Sequence, residues 1–281
     1  MKSFIYAFWA FAFILGFAGF SPKAIAQDFT ACKAMFPGGI VPKAASRTVQ
    51  NLCKITDNKA IFAIRFDTTR KTPNWLAHKL SPAEANGQTK RKRPKFSPDP
   101  AIISADQAID KSYVKSGFSR GHIVPAADMS WSLASYKDTF RFSNVVPQKQ
   151  RFNAGVWLGM EDKLRKLVKA RNVDIWDFSG VYGQVQTEPS IGKYPHDPVI
   201  PKCFYKIFVA KDKDSQKYKV MTALYHWDDY TKLKTWAKSV TSLARVKMRT
   251  GIDFLEGLAL EDTYDATFWG VKMPQNIGDC A

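Results

Sequence analysis

Apolar residues fall into short runs along the chain, separated by polar segments that contain proline, glycine and lysine. Runs of this length that are rich in β-branched and aromatic residues are typical of strands. They predict strands at residues 59–66, 74–80, 113–118, 173–181, 203–210 and 218–225. Residues 81–100 lack this pattern and contain several prolines and lysines, which predicts a long loop.

Two helices are predicted in the second half of the chain. Within residues 154–171, apolar side chains recur at steps of three and four, which places them on one helical face. The residues of this face are Trp157, Met160, Leu164 and Leu167. A later helix through Leu243 and Val246 should end at Gly251, because glycine readily adopts the left-handed conformation that follows a helix end. Strands that dominate the middle of the chain, with helices interspersed, indicate the α+β fold class.

The N-terminal segment, residues 1–26, has the layout of a secretory signal peptide. A positively charged start precedes a long apolar run, and a small-x-small cleavage site lies at residues 24–26. An uncleaved membrane anchor is the alternative, since the run is near the lower length limit for crossing a bilayer. The serine–proline pair at 21–22 favours cleavage. We therefore expect residues 27–281 to form a single periplasmic or extracellular domain without stable membrane association.

The charge of the chain indicates a polyanionic partner. The formal net charge is +17, and residues 1–26 contain two lysines and no acid, so the mature chain carries 17 − 2 = +15. A strongly positive protein attracts nucleic acid or other polyanions. The densest cationic run lies at residues 90–95, for which a solvated loop is the alternative interpretation.

Cysteine usage agrees with export. The four cysteines, Cys32, Cys53, Cys203 and Cys280, form no C-x-x-C pair, which disfavours a zinc site and favours two disulfides. Three pairings are possible. We favour Cys32 with Cys53 and Cys203 with Cys280, because the first pair closes a short loop near the mature N-terminus.

The triplet Arg120-Gly121-His122 could act on a polyanion. Hydrolysis of a phosphodiester needs an activated water, a neutralised phosphate and stabilisation of the departing 3′ oxygen. A histidine can take the proton of the water near neutral pH, and an arginine can grip a phosphate oxygen through its fork of donors. Gly121 would let the backbone approach a substrate closely. His196 and His226 lie in no comparable motif and are interpreted as structural.

A second segment strengthens the interpretation of this triplet. It contains, in this order, Ser143-Asn144, Pro147-Gln148, Asn153, Trp157 and Glu161. Together with the triplet, this series resembles the motifs of the DNA/RNA non-specific endonucleases, which are ββα-metal nucleases. That family follows its Arg-Gly-His with Ser-Asn-x-x-Pro-Gln and then with an Asn that begins a helix carrying Trp and Glu. The resemblance covers most of residues 59–258 and implies a central, mostly antiparallel sheet with flanking helices.

The resemblance also implies roles for individual residues. His122 would be the general base, Asn153 the one protein ligand bound directly to Mg²⁺, and Glu161 would hold metal-bound waters. Mg²⁺ often needs only one or two protein oxygens, and Mn²⁺ could substitute for it. For Glu161 the alternative is an ion pair with Arg165 four residues later, and for Asn153 it is a helix N-cap.

Three further residues are implied to act around this centre. Arg120 would bind the scissile phosphate, Arg93 or Arg91 would supply a second cationic contact, and Asn144 would have a supporting role. Binding through phosphates implies DNA and RNA as partners with little sequence preference, and products with 5′-phosphate ends.

One position departs from the family pattern. The triplet is usually preceded by an acid, whereas this chain has Ser119. A serine makes only neutral hydrogen bonds, so Arg120 would be held less firmly. The alternative function is therefore a catalytically weak or inactive exported protein that binds nucleic acid. The sequence leaves the oligomeric state open.

Overall fold

The computed structural model describes residues 28–43, 49–87, 89–187, 189–192, 195–228, 235–273 and 280. The predicted signal peptide lies outside these residues. In the described part of the chain, no helix combines the length and the apolar content that crossing a bilayer requires.

Within the described residues, nine strands form one large antiparallel sheet and one small strand pair. They are β1 (Val49–Thr56), β2 (Lys59–Asp67), β3 (Thr72–Leu80), β4 (Ser119–His122), β5 (Val145–Gln148), β6 (Ile175–Tyr182), β7 (Cys203–Lys211), β8 (Tyr218–His226) and β9 (Val240–Thr241). The large sheet has the order β1-β2-β3-β6-β7-β8-β9, and β4 pairs with β5. Every pairing between these strands is antiparallel, which confirms the predicted α+β class with an antiparallel sheet.

Helices pack beside the sheet. They are α1 (Pro82–Asn86), α2 (Asp110–Tyr113), α3 (Leu133–Asp138), α4 (Gln150–Phe152), α5 (Leu158–Arg171), α6 (Leu243–Thr250) and α7 (Ala266–Trp269). A π-helical turn, Asn153–Trp157, joins α4 to α5, and Gly155 leaves helical geometry there with φ −107° and ψ −107°. Such π turns occur often at functional sites.

Both faces of the large sheet are buried, as β7 illustrates. Phe204 and Phe208 pack in the cluster that contains the inner face of α5. The alternate residues Tyr205 and Val209 point to the opposite face and join a second cluster that includes Phe254. Burial on both sides explains why the sequence of this strand is nearly continuous in apolar residues.

The predicted helix over residues 154–171 and its apolar face are confirmed. Trp157, Met160, Leu164 and Leu167 are all buried. The later helix also ends as expected, because Gly251 follows α6 with φ +69°. Five of the six predicted strands coincide with β2, β3, β6, β7 and β8.

The strand predicted over residues 113–118 is wrong. Tyr113 ends α2, and the chain then turns through Lys115 at φ +57° and Gly117 at φ +80°. Left-handed backbone of this kind cannot continue a strand. The strand begins at Ser119 instead, so the triplet itself forms β4.

Several elements escaped the sequence analysis, and β1 and α1 show why. β1 is an edge strand whose residues are mostly half-exposed, so its sequence is more polar than that of a buried strand. α1 opens the segment predicted as a loop, where the Ser81 hydroxyl accepts from the Glu84 N–H and the Glu84 carboxylate accepts from the Ser81 N–H. This capping box is readable as Ser-x-x-Glu, and the proline between its members led to the loop prediction.

The structure contains both favoured disulfides. Cys32 is bonded to Cys53, which joins the segment that precedes the sheet to β1, and Cys203 at the start of β7 is bonded to Cys280. The two cysteines of the second bond are 77 residues apart in the sequence, so this bond ties the C-terminal end of the chain to the middle of the sheet. No described cysteine is free.

Candidate active site

The predicted site residues lie on β4, in the 3₁₀ turn before β5, along the helical segment from the π turn into α5, and in the loop that follows α1. β4 and β5 pair in the register Ser119 with Gln148 and His122 with Val145, and the chain then enters the helical segment from α4 to α5. Gly121 is required by packing, since a Cβ there would come within 2.2 Å of the Gln148 side chain. The missing Cβ of Gly121 therefore makes room for the Gln148 side chain. The sequence analysis instead expected this glycine to let the backbone approach a substrate.

His122 is half-buried between two aromatic rings. Its imidazole centroid lies 5.2 Å from that of Phe96 and 4.8 Å from that of Phe140, with an edge-to-face arrangement toward Phe140. Burial, with a smaller contribution from the positive charge of Arg93, lowers the pKa of His122 to about 3. Nε2 is buried and no described group hydrogen-bonds to it. The ring is therefore neutral near pH 7, and its Nε2 is not engaged by any described group.

Asn144 fixes the backbone that follows His122. Its Oδ1 accepts from the Val124 N–H at 2.8 Å, and its Nδ2 donates to the carbonyls of Val124 at 3.0 Å and Thr139 at 2.9 Å. The Asn144 carbonyl also accepts from Ile123 N–H at 3.0 Å. A fully buried amide with this many bonds holds a loop rather than a ligand.

Asn153 presents an uncommitted amide at the start of the π turn that follows α4. It is the first residue of the π turn, has helical backbone angles and makes no capping bond, so the N-cap interpretation does not fit. Among the described residues, none hydrogen-bonds to its side chain. About one helical turn later, Trp157 donates its Nε1–H to the His122 carbonyl at 3.1 Å, which ties the Asn153 turn to the end of β4.

Glu161 lies two turns beyond Asn153 on the inner side of α5 and is 8% exposed. Burial raises its pKa to about 8, and the positive charge of Lys206 opposes this shift. The expected alternative, an ion pair with Arg165, does not occur. Arg165 instead pairs with Asp128 at 2.7 Å and with Asp162. Glu161 thus remains a buried carboxyl without a direct salt bridge to any described residue.

The sequence analysis missed a buried charged network behind Glu161. His78 Nε2 lies 3.1 Å from Asp128 Oδ2, and Lys206 Nζ lies 3.2 Å from Asp177 Oδ2. Strand alternation puts Lys206 on the face of β7 that contacts α5, where its Nζ lies 4.3 Å from the Trp157 ring centroid. The sequence signal for this network was a lysine within an otherwise apolar strand, because a buried charged side chain needs a buried partner.

Arg120 is held by an acid from another element. Its Nε lies 2.8 Å from Asp110 Oδ1, and its Nη2 donates to the Asp110 carbonyl at 2.9 Å. Ser119 faces elsewhere, since its hydroxyl donates to Gln150 Oε1. The missing acid before the triplet is therefore offset by Asp110 of α2.

The two loop arginines differ in what they contact. The Arg93 guanidinium lies over the rings of Phe96 at 5.4 Å and Phe140 at 5.6 Å, the same rings that flank His122. Arg91 donates to the carbonyls of Ser130 at 3.0 Å and Trp131 at 3.3 Å. Arg93 is thus the loop cation beside His122, and Arg91 holds the loop.

The oxygen donors of Asn153 and Glu161 suit a hard cation. Asn153 offers a free amide oxygen and Glu161 a carboxylate without a salt bridge, and these are ligand types that Mg²⁺ prefers. Across the described residues, no three His, Cys, Asp or Glu side chains converge as a set of metal ligands. The residues present fit a cation that binds one or two protein oxygens and keeps most of its waters.

Comparison with known proteins agrees with this geometry. Residues 44–261 match the family model described as DNA/RNA non-specific endonuclease. The mitochondrial nuclease EXOG of Xenopus laevis is 34% identical over 163 residues, which cover 55% of this chain and 45% of that protein. The chain thus spans just under half the length of this relative.

Two other relatives are matched over more of their length. Mitochondrial endonuclease G of Bos taurus is 26% identical, covering 69% of this chain and 67% of that protein. The nuclease of Serratia marcescens is also 26% identical, covering 70% of this chain and 73% of that protein.

A solved structure shares the fold. The crystal structure of an EndoG/EndoGI complex contains a chain that matches with a TM-score of 0.61 at 19% identity, covering 72% of this chain and 84% of that one. The family match extends over most of the chain and includes the β4–β5 pair and the helix that follows it. The protein therefore belongs to the DNA/RNA non-specific endonuclease family.

Proposed function

We propose that the protein is an endonuclease that hydrolyses phosphodiester bonds of DNA and RNA without sequence preference, using Mg²⁺ and His122 as general base, and leaves 5′-phosphate ends. The proposal is supported by the neutral imidazole of His122, whose Nε2 has no hydrogen-bond partner among the described residues, and by the Trp157 bond that ties the His122 backbone to the helical segment on which Asn153 offers a free amide. A binding protein would need neither a deprotonated histidine nor an uncommitted amide oxygen there.

Each side chain has a distinct task in this proposal. A ring nitrogen of His122 accepts the proton of the attacking water, and Phe96 and Phe140 shield the ring from bulk solvent. Arg120, oriented by Asp110, binds the scissile phosphate through its free donors.

The remaining residues hold the cation or make a second cationic contact with the substrate phosphate. Asn153 would hold Mg²⁺ directly and Glu161 through water, and Mn²⁺ would fit the same oxygen donors. The bound cation would supply positive charge to the departing 3′ oxygen. Arg93 makes the second cationic contact, whereas Arg91 is already engaged by backbone carbonyls.

The proposed substrates and location follow from charge and sequence. Binding through phosphates gives affinity that falls with salt and little preference among bases. Residues 1–26 direct the protein out of the cytoplasm, and residues 27–281 act as one domain in the periplasm or outside the cell. The two disulfides support an oxidising compartment.

A plasmid assay tests the proposal. The mature chain should convert supercoiled plasmid to nicked and linear forms with Mg²⁺, and EDTA or His122→Ala should abolish this conversion. His226→Ala, a histidine outside the site, is the matched control and should cut normally. Fragments should be substrates for ligase without prior phosphorylation. Supercoiled plasmid that stays intact in every reaction would instead favour the exported binder without activity.

A further inference from the structure

A cationic cleft lies between the outer side of α5 and α7, apart from the residues assigned to catalysis. Its volume is about 300 Å³, which is at the lower end of the range for ligand sites. Lys163, Lys166 and Arg171 line it together with Phe268 and Gly270, and no carboxylate does. Gly270 ends α7 in the left-handed conformation with φ +61°, and its Cα faces the Lys163 ammonium group.

The three cations of the cleft lack counterions in the described structure. No described carboxylate forms an ion pair with Lys163, Lys166 or Arg171. Burial lowers the pKa of Lys163, and repulsion from Arg171 and Lys166 lowers it further. Like charges held together in this way raise the free energy of the empty cleft, and an anion that binds there relieves the repulsion.

Arg171 is held in place by contacts with α7. Its Nη2 donates to the Thr267 carbonyl at 2.7 Å, and its guanidinium carbon lies 5.6 Å from the centre of the Phe268 ring. An arginine fixed by one bond and one ring keeps its other donors available. The preformed position reduces the entropy lost when it binds a phosphate.

The carboxylates nearest in sequence are engaged elsewhere. Asp162, four residues before Lys166 on α5, pairs with Arg165. Glu261 and Asp265 both pair with Lys219, at 2.6 Å and 3.0 Å. These acids are therefore not available to neutralise the cleft.

We propose that this cleft is a second phosphate-binding site, which binds the backbone of a polynucleotide strand away from the bond being cut. The inference rests on the proposed nuclease function. Lys163 lies ten residues after Asn153 along the helical segment and Arg171 eighteen, which corresponds to about 15 and 27 Å of helix. Successive phosphates of one duplex strand are about 3.4 Å apart along the axis, so the cleft would bind a phosphate about four to eight nucleotides from the catalytic site.

The experiment measures binding without turnover. His122→Ala protein in EDTA is titrated with fluorescein-labelled DNA hairpins whose duplexes contain 24 or 4 base pairs, at several salt concentrations. The cleft variant is Lys163→Gln/Lys166→Gln in that background. The matched control, Lys169→Gln/Lys213→Gln, removes the same charge from exposed positions that do not line the cleft. Thermal melting verifies that each variant is folded, and Lys166→Gln alone, at an exposed position, provides a milder change.

We expect the cleft variant to weaken binding of the long hairpin about 5- to 10-fold and to lower the salt slope by about one to two, as the loss of one or two phosphate contacts predicts. Binding of the short hairpin should change less than twofold. Equal weakening by the control variant, equal weakening for both hairpins, or no change would overturn the proposal. Inorganic phosphate provides a separate arm: if its binding is lost while hairpin binding is unchanged, the cleft serves a free anion and the polynucleotide proposal fails.

The result is independent of whether the protein cuts DNA. If plasmid is never cleaved but the cleft variant still weakens long-hairpin binding selectively, the nuclease proposal fails and the cleft remains a nucleic-acid site. If plasmid is cleaved and the cleft variant binds both hairpins normally, only the cleft proposal fails.

Discussion

Arg120 of β4 and Asp110 at the start of α2 form an ion pair, with Nε and Oδ1 2.8 Å apart. The Asp110 side chain is 61% exposed, so the pair contributes little to folding stability. Its importance lies in orientation, because Asp110 binds one edge of the guanidinium and leaves the other donors to a phosphate.

Asp110→Asn should therefore weaken substrate binding more than turnover. Loss of the charged partner frees the Arg120 side chain to adopt other rotamers, and we expect KM for a defined DNA substrate to rise about 3- to 10-fold with kcat reduced less than threefold. Steady-state kinetics with a fluorogenic oligonucleotide would measure both constants. A fall in kcat with unchanged KM would contradict the orientation role.

Ser119→Asp is the matched control for that change. It restores the acid that the family pattern places before the triplet, but Arg120 is already held by Asp110 and Ser119 faces Gln150. Activity should therefore rise less than twofold. A large gain would mean that Asp110 does not replace the missing acid.

His122 should make folding stability depend on pH. Its folded pKa of about 3 lies below its ordinary value of 6.5, so the unfolded chain binds a proton that the folded chain excludes between pH 6.5 and 3. Stability is therefore lost as the pH falls through this window. From pH 7 to 5, wild type should lose on the order of 1–2 kcal/mol more than His122→Asn. Urea denaturation at both pH values measures this difference, and equal losses in the two proteins would show that the imidazole is not shielded from protonation.

The sequence predicted the large features of the fold because they depend on periodic burial. The apolar face of α5 and the continuous apolar run of β7 both reflect packing inside the two clusters. β1 could not be predicted in this way, since an edge strand with half-exposed residues need not be apolar. The turn that follows α2 was mistaken for a strand because Tyr113 and Phe118 are both apolar and buried, whereas the backbone between them turns.

The candidate site was predicted less completely than the fold. Motif spacing proposed His122, Asn153 and Glu161 as site residues, because all three lie within one stretch of the sequence, residues 122–161. It could not show that Asp110 would serve Arg120, since the two are ten residues apart and meet only through tertiary packing. It also could not choose between Arg91 and Arg93, which differ only in what surrounds each side chain.

The two loop arginines should respond differently to substitution. Arg93→Gln removes a positive charge beside His122, so the pKa of His122 should rise and kcat/KM should fall about 10-fold. Arg91→Gln removes two hydrogen bonds to backbone carbonyls and should lower the melting temperature by a few degrees with kcat/KM changed less than threefold. NMR titration of the His122 ring, thermal melting and kinetics together separate the two effects. If the outcomes were reversed, Arg91 would be the loop cation that serves the substrate.

Glu161 should make the affinity for Mg²⁺ depend on pH. Burial raises the pKa of this carboxyl to about 8, so at pH 7 most molecules must release a proton before the carboxylate can hold metal-bound water. The apparent affinity for Mg²⁺ should therefore increase as the pH rises from 6 to 8, by up to about tenfold per pH unit at the lower end, and level off above pH 8. Calorimetric titration with Mg²⁺ in His122→Ala protein measures this without turnover. Glu161→Gln cannot ionise, so its affinity should be lower at pH 8 and nearly constant over the same range. An equally steep pH dependence in Glu161→Gln would assign the released proton to another group, and a flat wild-type profile would show that Glu161 is ionised before the cation binds.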